Sequence, residues 1–247
     1  MRLVLFTKDH DFYLPFIGEC INKFDQVLIV TSDRNEPEIQ GISCIFHGFK
    51  NDKEYPQLVK QINDFNADIL ISFYYDRIIQ GEILHIPNLA VNFHGSLLPN
   101  YAGAHALNWQ IINGEKQSGV TIHELTNTVD GGRIISQESF QIEFEDTAND
   151  VLRKGIHCST KMLTRLIEDY KSGMIRMYQQ ISSGSEFSCT KRKAEDGEIT
   201  KDMNHISAYN MIRALVSPWP GAFYYNDDGN RVVLGEYLTL EEVKEIL

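Results

Sequence analysis

The chain is short of positive charge, of paired cysteines and of long apolar runs. Its 247 residues carry 23 Lys and Arg against 34 Asp and Glu, a formal net charge of −11. Proteins that grip nucleic acid over a broad face are usually basic, because neutralising phosphates supplies most of that affinity. No nucleic-acid partner is expected, and only a local basic patch is compatible with this balance. Cys20, Cys44, Cys158 and Cys189 form no CxxC, and none stands at metal-ligand spacing from another. Reduced thiols in a cytoplasmic protein, with no metal, are the expectation. No run of about 18 apolar residues exists, so no membrane span is expected. The N-terminal MRLVLFTKDHDF is too short in its apolar part for a signal peptide and reads better as a strand. The GxGxxG of a dinucleotide site is absent after that strand, where TKDHDF stands, and no Walker A loop occurs.

What is present is alternation. Leu3–Thr7, Val27–Thr31, Ile69–Phe73 and Leu89–His94 read as strands, and so do Val120–Leu125 and Arg133–Phe140. Between them lie helical patterns: Asp52–Phe65, a helical turn through Ile78–Leu84, and Gly103–Asn113 ended by Gly114. A long helix follows Thr147, whose cap has Asp150 three residues on. This order predicts an α/β, Rossmann-like, doubly wound and mostly parallel sheet, with ligands beyond the carboxyl ends of its strands. After about residue 180 the texture turns polar and irregular. A helix near Ser207–Val216, the turn-rich SPWPGAF and a hairpin about DDGN complete the chain. The expected division is a catalytic domain over 1–180 and an extension over 181–247.

Polar residues inside a parallel strand need a reason. Val91-Asn92-Phe93-His94 puts Asn92 and His94 on one face, at the end where ligands bind. Asp130 follows His94 by 36 residues, about one βαβ unit, so it can return to the same sheet edge. For Asn-x-His alone a satisfied polar cap is an equally good account, and Asp130 in VDGG also reads as a turn residue. Leu98-Pro99 is either an ordinary trans turn or a cis bond in a tight loop.

Taken together, NFHGSLLP, Asp130, WQIINGE and GVTIH resemble the catalytic core of the 10-formyltetrahydrofolate-dependent formyltransferases, over roughly residues 1–225. The resemblance implies three catalytic groups. Asn92 donates an N–H to the formyl oxygen. His94 accepts the amine proton as a base or, if protonated, donates to the oxygen. Asp130 orients the histidine. It also implies a pterin slot formed by backbone at Tyr75, Arg77, Ile78 and Ile79, with Val129 and Asp130 across from them; Ile78 and Ile79 read equally well as helix core.

Among relatives, the KRKAEDGEI and RALVSPWPGAF segments most resemble sugar-nucleotide N-formyltransferases. The 26 residues after Gly221 are fewer than the barrel domain of methionyl-tRNA formyltransferases needs, and glycinamide ribonucleotide formyltransferases lack these segments. The implied substrate is a nucleotide-linked, dTDP-type, amino-dideoxyhexose of a surface-polysaccharide route such as O-antigen or lipopolysaccharide. Formyl transfer to another small amine, formyl hydrolysis, and a non-catalytic folate or sugar-nucleotide module are the alternatives. The loop departs from the family at Tyr101-Ala102-Gly103, where an arginine usually precedes the glycine. Acceptor contacts are expected at His10, Tyr101, His105, Trp109, Lys191 and Arg192. For His105 and Trp109 helix packing competes with that role, and for Lys191–Lys193 a solvated charge run does. The tail hairpin, with Phe223, Tyr224, Val232, Val233 and Leu234, shows more apolar surface than a lone hairpin hides, which predicts a homodimer.

Overall fold

A parallel sheet covered on both faces asks for apolar side chains at nearly every strand position, and RLVLF, QVLIVT and ILISF supply them. The computed structural model describes residues 1–8, 11–35, 38–47, 53–79, 81–235 and 237–246. In chain order the first half holds β1 (Arg2–Phe6), α1 (Leu14–Lys23), β2 (Gln26–Thr31), β3 (Glu38–Ile39), β4 (Ile42–Phe46), α2 (Tyr55–Phe65), β5 (Ile69–Phe73), α3 (Gly81–Leu84) and β6 (Leu89–His94). Then come β7 (Ala102–Gly103), α4 (Ala106–Ile112), β8 (Gln117–Glu124), β9 (Ile134–Gln141), α5 (Ala148–Lys171), β10 (Ser188–Cys189), α6 (His205–Ala214), β11 (Ala222–Tyr225), β12 (Arg231–Leu234) and α7 (Leu240–Ile246).

Eight strands form one sheet in the order β3-β4-β2-β1-β5-β6-β8-β9. From β4 to β6 all neighbours run parallel. β3 is antiparallel to β4. The sheet is thus Rossmann-like and mostly parallel, as the alternation predicts. One expectation fails: β8 is no return strand of a βαβ unit but runs antiparallel to β6, with Asn92 opposite His123 and His94 opposite Thr121. The seven residues of α4 make about 10 Å of helix, half the ~20 Å that the six residues of β6 cover, so α4 cannot carry the chain back along the sheet.

Two compact units result. One comprises Met1–His94, Val120–Glu138 and Ile156–Ser182; the other comprises Gly95–Gly119, Ser139–Gly155 and Ser183–Leu247. The segment after residue 182 therefore shares its unit with 95–119 and 139–155. In the first unit, Leu58 and Ile62 of α2 pack with Val4, Phe6, Val30 and Leu70 of the sheet. α1, which the alternation passes over, buries Phe16, Ile17 and Cys20, and Phe16 stacks on Phe73 at 3.8 Å.

In the second unit, Thr147 and Asp150 form the expected cap of α5: the Asp150 carboxylate accepts from the Thr147 backbone N–H at 3.0 Å and from its hydroxyl at 2.5 Å. The helix expected from Gly103 starts only at Ala106. Residues 102–103 pair instead with Ser188–Cys189 as β7 and β10. There a Cβ on Gly103, whose φ is +109°, would meet the Cys189 carbonyl oxygen at 2.3 Å, so only glycine fits. Leu98-Pro99 and Ser217-Pro218 are cis. The hairpin β11–β12 forms as expected, and α7 follows it, opened by a Thr239–Glu242 cap that the sequence reading passes over.

Candidate active site

At the end of β6, alternation turns Val91 and Phe93 into core, fully or nearly fully buried, and puts Asn92 and His94 on the other face. The turn after β8 carries Asp130 back to them. Its carboxylate lies 3.4 Å from His94 Nδ1 and 3.5 Å from Asn92 Nδ2. Asn92, His94 and Asp130 thus converge, although the route is an antiparallel strand and a tight turn.

A fourth group joins them, His123, which the sequence shows only as the last residue of GVTIH. His123 Nε2 lies 3.1 Å from Asn92 Nδ2 and 3.4 Å from Asp130 Oδ1. Its Nδ1 lies 2.9 Å from the Glu124 carbonyl, an acceptor only, so Nδ1 carries the proton. In the neutral ring Nε2 then accepts from the Asn92 amide, which fixes that amide with its NH₂ toward His123 and Asp130. The signal was available: Thr121 and His123 are polar residues two apart in a buried strand, the same pattern as Asn92 and His94.

The Asp130 turn is tightly determined. Asp130 itself has φ +49°, the left-handed region that few residues besides glycine, asparagine and aspartate adopt. A Cβ on Gly132 would lie 1.8 Å from the Glu124 carbonyl oxygen, so the turn presses on the end of β8. Arg133 closes the same corner by a bidentate pair with Glu124, at 2.8 and 2.9 Å.

Of the expected pterin-slot residues, Tyr75 and Arg77 commit their side chains to the scaffold. The Tyr75 hydroxyl meets His47 Nδ1 at 2.6 Å and its ring stacks on His47. Arg77 donates to the carbonyls of His47 and Ser32. His47 is buried, and burial together with the Arg77 charge pushes its pKa down to about 4. Ile79 belongs to the core, whereas Ile78 is 69% exposed and Val129 62% exposed. The expected helical turn begins at Gly81, not at Ile78, which leaves Ile78 in irregular chain. A Cβ at Gly81 would lie 2.6 Å from Asn127 Oδ1, so the start of α3, three residues after Ile78, lies against Asn127, two residues before Val129. Lys8, beyond β1, pairs with Asp76 at 2.8 Å. Among the described residues no cluster of three or more His, Cys, Asp or Glu is arranged to hold a metal.

The expected acceptor contacts Tyr101, His105, Trp109, Lys191 and Arg192 all lie in the second unit, while His10 falls outside the described residues. Tyr101 is buried, donates to Glu115 at 2.7 Å and accepts from Asn113 at 3.1 Å. Trp109 donates its indole N–H to the Thr190 carbonyl at 2.9 Å, and the Arg192 guanidinium lies over its ring at 4.6 Å. Arg192 is buried, donates to the Asp196 carbonyl at 2.6 Å, and leaves its Nε without a partner. Lys191 and Lys193 are exposed, so the basic run is solvated at its two ends but not at its centre. Burial and the charges of Lys191 and Arg192 hold the pKa of His105 below its ordinary value. Packing and polar contact thus coexist in this cluster.

The chain is 38% identical over 189 residues to the bifunctional polymyxin resistance protein ArnA of Wigglesworthia glossinidia brevipalpis, a match that takes in 75% of this chain and 28% of that protein. It therefore spans little more than a quarter of that relative's length. A 4-N formyltransferase from Francisella tularensis shares the fold, with TM-score 0.78 and 21% identity over 96% of this chain and 98% of the other. WlaRD, a sugar 3N-formyl transferase crystallised with dTDP and 5-N-formyl-THF, gives TM-score 0.66 and 21% identity over 87% and 79%. The profile of the formyl transferase family matches residues 24–167, more than half of the sequence, and the chain belongs to that family.

Proposed function

We propose that this formyl-transferring enzyme moves the formyl group of 10-formyltetrahydrofolate to the amine of a nucleotide-linked, dTDP-type amino-deoxy sugar. The observation that carries the reading is the meeting of Asn92, His94 and Asp130 within 3.5 Å at the end of β6. The sugar acceptor is supported by WlaRD, a sugar 3N-formyl transferase, with which the chain shares its fold.

The folate fits what the first unit offers. Ile78 and Val129 are large apolar side chains left exposed, each within three residues of the Gly81–Asn127 contact, which suits the face of a flat heteroaromatic ring. Ile79 and the backbone at Tyr75 and Arg77 form the floor of that slot. When bound, the folate supplies an activated formyl carbonyl.

The chain's own groups do the rest. Asn92 is anchored by its 3.1 Å bond to His123, and its contact with Asp130, at 3.5 Å, is the weak one. That second N–H turns to the formyl oxygen as negative charge grows there, a donor worth roughly 3 kcal/mol in other enzymes. Asp130 holds the Nδ1–H of His94, which puts the basic lone pair on Nε2; Nε2 takes the proton that the attacking amine must lose and returns it to the folate nitrogen as the bond from that nitrogen to the formyl carbon breaks. In the second unit, His105, Trp109, Lys191 and Arg192 are the acceptor contacts, the cations for a pyrophosphate and the indole for a base. Of the apolar hairpin residues expected to pair with a second copy of the chain, Phe223 is buried within the chain and Tyr224, Val232 and Leu234 are half-buried, so the pairing falls to Val233, with Tyr225 exposed beside it.

The test is an assay with 10-formyltetrahydrofolate and a panel of dTDP- and UDP-linked 3-amino and 4-amino sugars. Release of tetrahydrofolate that requires one of these sugars is the expected result. Release without an acceptor marks a hydrolase, and none with any sugar removes the acceptor class. Sedimentation at micromolar concentration is expected at twice the 28.3 kDa chain mass; a monomer there removes the hairpin pairing.

A further inference from the structure

The Asp130 backbone sits in the left-handed region, with φ +49°, a conformation that apart from glycine mainly asparagine and aspartate adopt. Gly131 and Gly132, which follow it, are the most pliable residues a turn can have. Something must therefore hold the carbonyls on either side of Gly131.

The chain after α5 does this. Ile134 and Tyr178 form an antiparallel bridge, with mutual N–H to carbonyl bonds of 2.8 Å. Two residues further along in that register, residue 180 faces residue 132. Gln180 sits there, half-buried, and its side-chain Nε2 donates to the Asp130 carbonyl at 2.6 Å and to the Gly132 carbonyl at 2.8 Å. One amide group uses both of its hydrogens and spans Gly131 like a staple. Its neighbour Gln179 is exposed.

We propose that Gln180 is a positioning residue for formyl transfer: it pins the Asp130 turn so that the carboxylate stays against His94 and Asn92. The proposal rests on the catalytic reading of Asp130. A carboxylate displaced by about an ångström no longer fixes the imidazole, and misplacement on that scale costs on the order of a hundredfold in rate.

The experiment compares Gln180→Glu, which keeps the shape and removes both donors, with Gln180→Lys, which restores a donor for the two carbonyls. Gln179→Ala and Asp130→Asn are run beside them. Gln180→Glu is expected to lower kcat by about ten- to a hundredfold, with KM for both substrates within about threefold. Gln180→Lys recovers most of the loss, and Gln179→Ala behaves as the parent. In the double variant with Asp130→Asn, Gln180→Glu adds no further loss, because both act through one carboxylate. An unchanged kcat in Gln180→Glu overturns the proposal. So does a loss that follows the folded fraction by circular dichroism in both Gln180 variants, which marks a purely structural role. Full activity in Asp130→Asn instead defeats the catalytic reading itself, whatever Gln180 does.

Discussion

Two histidines close strands of the same sheet, and they have been made into opposites. His47 follows β4 and is 2% exposed; His94 ends β6 and is 8% exposed. Burial is thus nearly equal, and the neighbours differ. Burial, and after it the Arg77 cation, drives the pKa of His47 down to about 4, and the Tyr75 hydroxyl meets its Nδ1 at 2.6 Å. It stays neutral and serves as packing and as a hydrogen-bond partner. His94 faces a carboxylate instead. A carboxylate orients the ring through its Nδ1–H and leaves Nε2 as the basic nitrogen, which is what a group that must accept a proton requires. The sign of the adjacent charge, more than depth, separates a structural histidine from a proposed catalytic one.

The comparison breaks most visibly in the rate. His94→Ala is expected to lower kcat by about 10³-fold, near the middle of the range for a lost acid–base group. His47→Gln, which keeps a partner for Tyr75, is expected to leave kcat within about threefold. Steady-state kinetics on both variants, with circular dichroism to verify folding, decides it; comparable losses in the two would erase the distinction.

How far the sequence reveals this contrast depends on what each residue leaves in the pattern. Asn92 and His94 are legible because a polar pair at i and i+2 interrupts a strand that should be apolar throughout. Asp130 is legible through its spacing, but its path is not: nothing in GVTIHELTNTVDGG says that β8 runs against β6, since strand direction leaves no trace in side-chain alternation. His123 shows the same i, i+2 signal with Thr121, and only the antiparallel register, which sets it opposite Asn92, reveals its meaning. Gln180 lies in irregular chain with no periodicity, so its place depends on a single bridge at Tyr178. The second unit reads least well. β7 and β10 are two residues each, too short for any pattern, yet they decide where α4 begins.

A smaller effect sharpens the structural half of the comparison. Arg77 ties the ends of β2 and β4 together through the carbonyls of Ser32 and His47, and its guanidinium also lies 5.3 Å from the Phe46 ring. Arg77→Met keeps the length and removes the donors. Two carbonyls lose their partners, and the expected cost is about 1–3 kcal/mol, read as a lower denaturation midpoint in urea with an unchanged slope. Removing the cation also lets the His47 pKa rise from about 4 toward its ordinary value, a change that its ring-proton titration reports by NMR.

The last expected effect is in the pH dependence of stability, where His47 sets the sign of the difference between the parent and His47→Gln. Its pKa is about 4 in the folded chain against 6.5 when unperturbed. Between these values the unfolded state takes up a proton that the folded state refuses. Stability from this group is therefore complete above about pH 6.5, declines as the pH falls toward 4, and levels off below that. Carboxylates held low in the folded chain, such as Asp76 beside Lys8 and Ser32, also lose stability on acidification, and they do so in the variant as well. The informative quantity is thus the difference between parent and His47→Gln. That difference should slope across pH 6.5 to 4, with up to one proton separating the two proteins, and should be flat above pH 7. Thermal midpoints measured in matched buffers give it directly. A flat difference throughout would mean that His47 titrates normally, and the contrast with His94 would then rest on orientation rather than on charge.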